Sequence, residues 1–191
     1  MIDNRAEHPL RSVWLISYLP SVTPEMVKEA GDDFDAAQQQ ALRTGGPIET
    51  LEQLWSSMMS LPPYSDLPTN DSYVFARDGV NPSYSSFPNG GKRVNLFSNG
   101  IDERETKFLV EMALGAVLGE ACTAASEGNS VVDVVRVVHK CSRSTPRGLQ
   151  IQLWHHRPEL NGALVDYFKR VCREACFHQL ADKGVVGAEM K

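Results

Sequence analysis

Two neighbouring segments dictate a β-sheet. Gly148–His155 reads GLQIQLWH and alternates cleanly, with Leu149, Ile151 and Leu153 on one side and Gln150, Gln152 and Trp154 on the other. Just before it, VVDVVRVVHK (Val131–Lys140) is near-continuous valine, a residue stiff at χ1 and suited to a pleated surface. A Ser/Thr/Pro/Arg turn joins the two. The Leu/Ile side has to be covered, so helices elsewhere must pack on it. Trp154 is then left among glutamines on the opposite, exposed side, which is odd for packing and sensible for a ligand.

Three segments have the periodicity for that cover. ETLEQLWSSMMSL (Glu49–Leu61) brings Leu51, Leu54, Trp55, Met58 and Met59 to one stripe, with Thr50 and Gln53 at capping-box spacing. DERETKFLVEMALGAVLGEAC (Asp102–Cys122) opens with Asp102 as cap and acids in its first turn. RPELNGALVDYFKRVCREACFHQ (Arg157–Gln179) is opened by Pro158 and striped by Leu160, Leu164, Phe168, Val171 and Ala175. Further strands are expected at Ser12–Leu19, Tyr73–Ala76 and Arg93–Phe97. The insert from Thr23 has a cap at Thr23, Pro24 at the first helical position and a stop at Gly45-Gly46, but Gly31 and three Asp weaken its helical pattern. The expected fold is α+β, a curved antiparallel sheet with three amphipathic helices packed on its convex face. It forms a single domain over 1–191, with a core over about 8–175 and a short flexible C-terminal tail.

The bulk composition narrows the function. With 191 residues, 42% hydrophobic and 23% charged, the chain reads as one globular domain. No apolar run approaches the ~20 residues that span a bilayer, and the N-terminus lacks a secretory layout. A monomer in the cytoplasm, or also in the nucleus, is the expectation, with no membrane partner. Cys122, Cys141, Cys172 and Cys176 form no CxxC pair and read as reduced thiols. A net charge of −5 argues against sequence-blind binding of nucleic acid. Yet Val134–Pro158 holds five basic residues (Arg136, Lys140, Arg143, Arg147, Arg157) and no acidic one. Such a strip suits a small anion, and it also reads as a solvated hairpin.

The usual catalytic signatures are missing. There is no P-loop, HExxH or GxSxG. Cys172 and Cys176 lie one helical turn apart and read as core stripe more readily than as metal ligands. His155 and His156 are adjacent on a strand, so their rings point to opposite faces. No catalytic residue, metal or cofactor is expected.

Tyr84 stands in turn chemistry, within DGVNPSYSSFPNGG. A loop tyrosine alone reads as packing on Phe87 and Pro88 under its own loop. The order of motifs along the chain changes the weighting. HPL (His8–Leu10) precedes the strand with Trp14. IETLEQLW, YVFARDGVNPSY, GGKR, VLGE, VVRVVHK and IQLW follow in that order before the last helix. Over residues 8–175 this arrangement resembles eukaryotic translation initiation factor 4E, which binds the 7-methylguanosine cap of messenger RNA.

The resemblance implies two surfaces. On the concave face Tyr84 would stack on the methylated base, a flat cation, for roughly 1–3 kcal/mol. Trp154 would touch the N7-methyl group. The family's guanine-binding Glu falls on Ser85, a weaker acceptor. For the second stacking group no Trp is present; Phe34 is the candidate and Met26 a polarizable substitute, and either also reads as core. Lys92, Arg136 and Lys140 would contact the phosphates, while Gln150 stands where the family often has Lys. On the convex face His8, Pro9, Leu51, Trp55 and Gly119 match the docking surface for a YxxxxLφ helix of a scaffold or repressor protein. Met112 falls on the family's acidic position, with Glu111 one residue away. Without the family context Trp55 is simply core. Two other readings stand beside cap binding: an interaction module of this fold with weak or lost cap binding, acting as repressor or adapter, and an enzyme acting on capped substrates.

Overall fold

The structure is a computed structural model that describes residues 7–87, 92–98, 103–122, 131–140 and 148–189. Its centre is one seven-stranded sheet with order β2-β1-β3-β5-β6-β4-β7. The strands are β1 (Pro9–Leu19), β2 (Arg43–Thr50), β3 (Ser72–Arg77), β4 (Lys92–Ser98), β5 (Val134–Lys140), β6 (Gly148–His155) and β7 (Val185–Glu189). Every neighbouring pair is antiparallel.

The helices α3 (Leu51–Ser60), α4 (Glu103–Leu118) and α5 (Asn161–Glu174) correspond to the three amphipathic segments. Thr50 caps α3 by accepting from the Gln53 N–H at 3.2 Å, and Gln53 reaches back to the Glu49 N–H at 2.7 Å. The Asp102 cap lies outside the described residues. One core fills the space between these helices and the sheet, gathering Trp14, Leu54, Phe75, Leu114, Ile151 and Phe168 among others. No helix among the described residues is long and apolar enough to cross a membrane.

Three expectations change. The helix count rises, because the insert forms two short helices, α1 (Pro24–Glu29) and α2 (Phe34–Ala41). Gly31 and Asp32 both take positive φ, 75° and 62°, which ends α1, and the Asp33 carboxylate then caps α2 at the Ala36 N–H. Second, Gly45-Gly46 does not mark a helix stop but lies in edge strand β2 beside Pro47, paired with β1 across register shifts. Glycine and proline are poor strand formers, and an edge position tolerates them. Third, the segment read as a loose tail makes a π turn (Leu180–Gly184) and then β7, which pairs with β4 from Lys92↔Glu189 to Leu96↔Val185. Leu180, Ala181 and Val185 belong to the core. The strand signal was missed because VVGAE is short and holds a glycine, though that glycine has a steric reason. A Cβ on Gly187 would press on the Asn161 side-chain amide at the start of α5.

Two motifs are structural joints. Glu120 of VLGE is buried, pairs with Arg77 Nη1 at 3.2 Å, and accepts from the Ser12 hydroxyl at 3.1 Å. Arg77 of ARDG lies over the Trp14 ring, 4.8 Å from its centroid. The end of α4 is thereby tied to β1 and β3.

Candidate functional site

The face of the sheet away from the helices carries a second, smaller apolar cluster made of Leu19, Val74, Ala76, Phe87, Val134 and Trp154. Register places its members side by side. Trp154 on β6 pairs with Val134 on β5 and Arg93 on β4, and Val134 pairs with Ala76 on β3. Gln150, Gln152 and Trp154 do share this face, but they are not exposed. Trp154 is 0% exposed, Gln152 4% and Gln150 8%. The cover over Trp154 includes the loop after β3. Tyr84 lies on the indole with ring centroids 4.8 Å apart and planes 32° from parallel. Phe87 meets it edge-on at 5.6 Å and 81°, and stacks its own face on His156 at 4.2 Å. Tyr84 therefore packs neither simply under its loop nor freely in solvent: it rests on Trp154.

The loop that carries Tyr84 is held locally. The Ser83 hydroxyl is 3.0 Å from that of Ser85 and 2.9 Å from that of Ser86, which closes the 3-10 turn Tyr84–Ser86. Ser85 thus turns its hydroxyl back into the loop, and its N–H donates to Asp35 Oδ2 on α2 at 3.2 Å. The same helix is latched to the loop by Gln38 Nε2, which donates to the Pro82 carbonyl at 2.9 Å. Phe34, at the start of α2, is 47% exposed. Met26 in α1 is half-buried.

Beside the aromatic pair lies a layer of polar and cationic groups. Arg136 on β5 pairs across β6 with Gln152, and its Nε donates to Ser72 Oγ at 3.0 Å. Gln152 Oε1 accepts from the Trp154 Nε1–H at 3.1 Å, and Gln150 Nε2 donates to Asn95 Oδ1 at 3.0 Å. Lys140 Nζ is 3.4 Å from Asn70 Oδ1. The strands β3, β4, β5 and β6 contain no Asp or Glu. The electrostatics follow from that imbalance. Burial lowers the pKa of Arg136; a hydrogen bond to Tyr84 opposes the fall and the charge of Arg93 adds to it. Lys140 is lowered by burial first, then by Arg136 and Arg93. The charge of Arg93 thus bears on Arg136 and Lys140, and that of Arg136 on Lys140, with no carboxylate on their strands, a setting that an arriving anion would relieve.

Arg93 was missed in the sequence. Its Nε is buried without a hydrogen-bond partner, and it pairs with Trp154 across the β4–β6 ladder. Lys92, the residue chosen for this role, pairs with His155 instead, and its side chain lies outside what the structure describes. The signal was available: Trp154's face needs alternate residues on β4, so a one-residue register choice separates Arg93 from Lys92.

The helix face carries the second set. Trp55 is 45% exposed, so it is not a core tryptophan. It borders a groove of about 430 Å³ with Met58, Met59, Pro63, Tyr64 and Glu111. Leu51 is half-buried and Met112 packs against the main core, which leaves Glu111 as the surface member of that pair. His8 and Pro9 are exposed at the start of β1. His8 Nδ1 is 2.6 Å from Glu52 Oε1, and hydrogen bonds from the His8 ring and N–H hold Glu52 down at about 2. Gly119 ends α4, where a Cβ would stand 2.5 Å from the Gly115 carbonyl oxygen. His155 is buried with Nε2 3.2 Å from Asn161 Oδ1, whereas His156 is exposed with Nδ1 3.0 Å from Asp133 Oδ2. Cys172 is buried and Cys176 exposed; Cys141 lies outside the described residues. Among the described residues no group of three His, Cys, Asp or Glu could hold a metal.

The open antiparallel sheet with helices packed on one face is the fold of the eIF4E proteins. The chain superimposes on Ascaris suum eIF4E-3 in complex with m7G cap with a TM-score of 0.66 at 15% identity, covering 97% of this chain and 92% of that one. Caenorhabditis elegans eIF4E-3, solved with the 4E-binding protein Mextli and cap analog, gives 0.62 at 16%, covering 95% and 92%. A schistosome eIF4E complexed with m7GpppA and 4E-BP gives 0.66 at 14%, covering 88% and 82%. At these identities the likeness speaks for the fold. No family model matches the sequence, and no curated protein matches it.

Proposed function

We propose that this protein is a non-catalytic, cytoplasmic cap-binding factor of translation initiation. It takes the 7-methylguanosine end of messenger RNA on the face of Tyr84 and Trp154, and a helical segment of a scaffold or repressor protein beside Trp55. The observation that carries the reading is the juxtaposition of that aromatic pair with Arg93, Arg136 and Lys140 on strands free of acids. A methylated guanine is flat and cationic, and its phosphates are anionic. An aromatic platform bordered by unneutralised cations supplies a partner for each part. The resemblance in motif order and the shared fold support the same assignment.

Titration of intrinsic tryptophan fluorescence tests it. Quenching by a 7-methylguanine nucleotide at concentrations at least tenfold below those needed for the unmethylated nucleotide is the expected result. Equal quenching by both refutes base recognition through the methyl group.

A second reading has its own observation. Tyr84 already rests on Trp154, and the indole is fully covered. A module that keeps only the Trp55 surface would look the same. Failure of both nucleotides to quench, with a helical peptide still captured, selects that reading.

A further inference from the structure

Guanine presents an N1–H and an exocyclic amino group on one edge, and a carboxylate is the side chain that accepts both at once. The four strands of the ligand face offer no carboxylate. The residue after Tyr84 is Ser85, whose hydroxyl is turned toward Ser83. One carboxylate nevertheless stands at the rim of the aromatic platform. Asp35 reaches it from α2, an element belonging to the insert between β1 and β2. Its Oδ2 accepts from the Ser85 N–H at 3.2 Å, one residue from the stacking ring.

The carboxylate is held in place on both sides. Asp33 caps the helix that bears it. Gln38, buried to 2% exposure, donates to the Pro82 carbonyl, and Gln39 donates to Asn81 Oδ1. The helix and the Tyr84 loop therefore move as one piece, with the acid fixed relative to the ring. Asp35 itself is only partly buried, so an incoming base can reach it.

We propose that Asp35 is the specificity-determining acceptor for the Watson–Crick edge of the bound guanine, supplied from α2 in place of a carboxylate on the Tyr84 loop. This inference rests on the cap-binding reading. Asp35 selects guanine over bases that lack the N1–H and amino pair, while stacking and the cations supply affinity that is indifferent to that edge.

The test compares 7-methyl-GDP with 7-methyl-IDP, which lacks only the amino group, on wild type and Asp35→Asn. Asparagine still accepts from the Ser85 N–H, so the loop stays in place, and equal melting temperatures verify that. Wild type is expected to prefer the guanine nucleotide by about tenfold, the worth of a charge-assisted bond. Asp35→Asn is expected to weaken 7-methyl-GDP by about that factor and 7-methyl-IDP, which keeps the N1–H, by clearly less, and so to shrink the preference. An Asp35→Asn protein that keeps the wild-type preference overturns the proposal, as does one that loses both nucleotides equally, since Asp35 then only shapes the loop. Wild type that binds neither nucleotide sinks the cap-binding reading itself, a distinct outcome.

Discussion

Replacing Trp55 by alanine separates a docking surface from a core residue by magnitude. A fully buried tryptophan costs roughly 3–5 kcal/mol when truncated. Trp55 keeps 45% of its surface exposed, so a little over half of that cost applies, about 2–3 kcal/mol. For a domain of 191 residues each kcal/mol lowers Tm by about 2–4 °C, which gives a fall of about 4–12 °C. Trp154 is fully buried, and its truncation should cost the whole amount. Binding should respond differently. A helix laid in a groove depends on a few apolar anchors, and a tryptophan at the centre carries about 2 kcal/mol or more, or roughly 30-fold in Kd. Calorimetric titration with a YxxxxLφ peptide should therefore show that loss, while 7-methylguanine quenching stays within about twofold, because Trp55 and Trp154 lie on opposite faces of the sheet. A Tm fall above about 12 °C with both activities lost would mean that Trp55 is a structural member of the core. A modest fall with unchanged peptide affinity would move the docking surface away from the groove.

Other outcomes follow from the ligand face. Arg136→Gln or Arg93→Gln should weaken a triphosphate cap analogue at least tenfold more than 7-methylguanosine, and flatten the salt dependence; equal losses would assign these residues to pocket shape. Ser85→Glu should tighten 7-methyl-GDP by less than threefold, because Asp35 already occupies that rim; a gain of tenfold would mean that no carboxylate served the base before. The His156–Asp133 pair sets a pH dependence. Burial alone would lower the His156 pKa, but hydrogen bonds with Asp133 and the Ser86 carbonyl raise it on balance above the ordinary 6.5. Its raised folded value means that the pair's stabilisation is full below about pH 6.5 and is lost as pH rises through the higher folded value. Asp133→Asn should remove this part of the Tm–pH profile, and an unchanged profile would refute the linkage.

The sheet and its three long helices were legible because their signals are periodic. Alternation in Gly148–His155 and the three- and four-residue stripes in α3, α4 and α5 survive any tertiary context. The local opposites were not legible. The burial of Trp154 depends on a loop more than sixty residues earlier in the chain, and alternation reports which face a residue takes, not whether something covers it. Arg93 was hidden by a register step that only the paired strand defines. Asp35 carried no motif at all: an aspartate in the first turn of a short helix is ordinary capping chemistry, and its position beside Ser85 exists only once the insert folds back on the Tyr84 loop. Strand β7 escaped because five residues with a central glycine look like a loop until α5 is placed against them.

The sheet is open, so it ends in two rims that a second chain could extend. The β2 rim is blunt: Gly45, Gly46 and Pro47 weaken strand propensity, the register with β1 is irregular, and proline offers no N–H to a newcomer. Among the described residues the other rim ends in β7. Beneath it runs β4, whose Val94, Leu96 and Phe97 are apolar and β-prone around an uncharged Asn95, the composition of a self-pairing segment. A protease cut in the π turn at Leu180–Gly184 could free β7 without touching either candidate site. Such a nicked protein should still recognise its ligands at first, and then clump as bared β4 edges find one another.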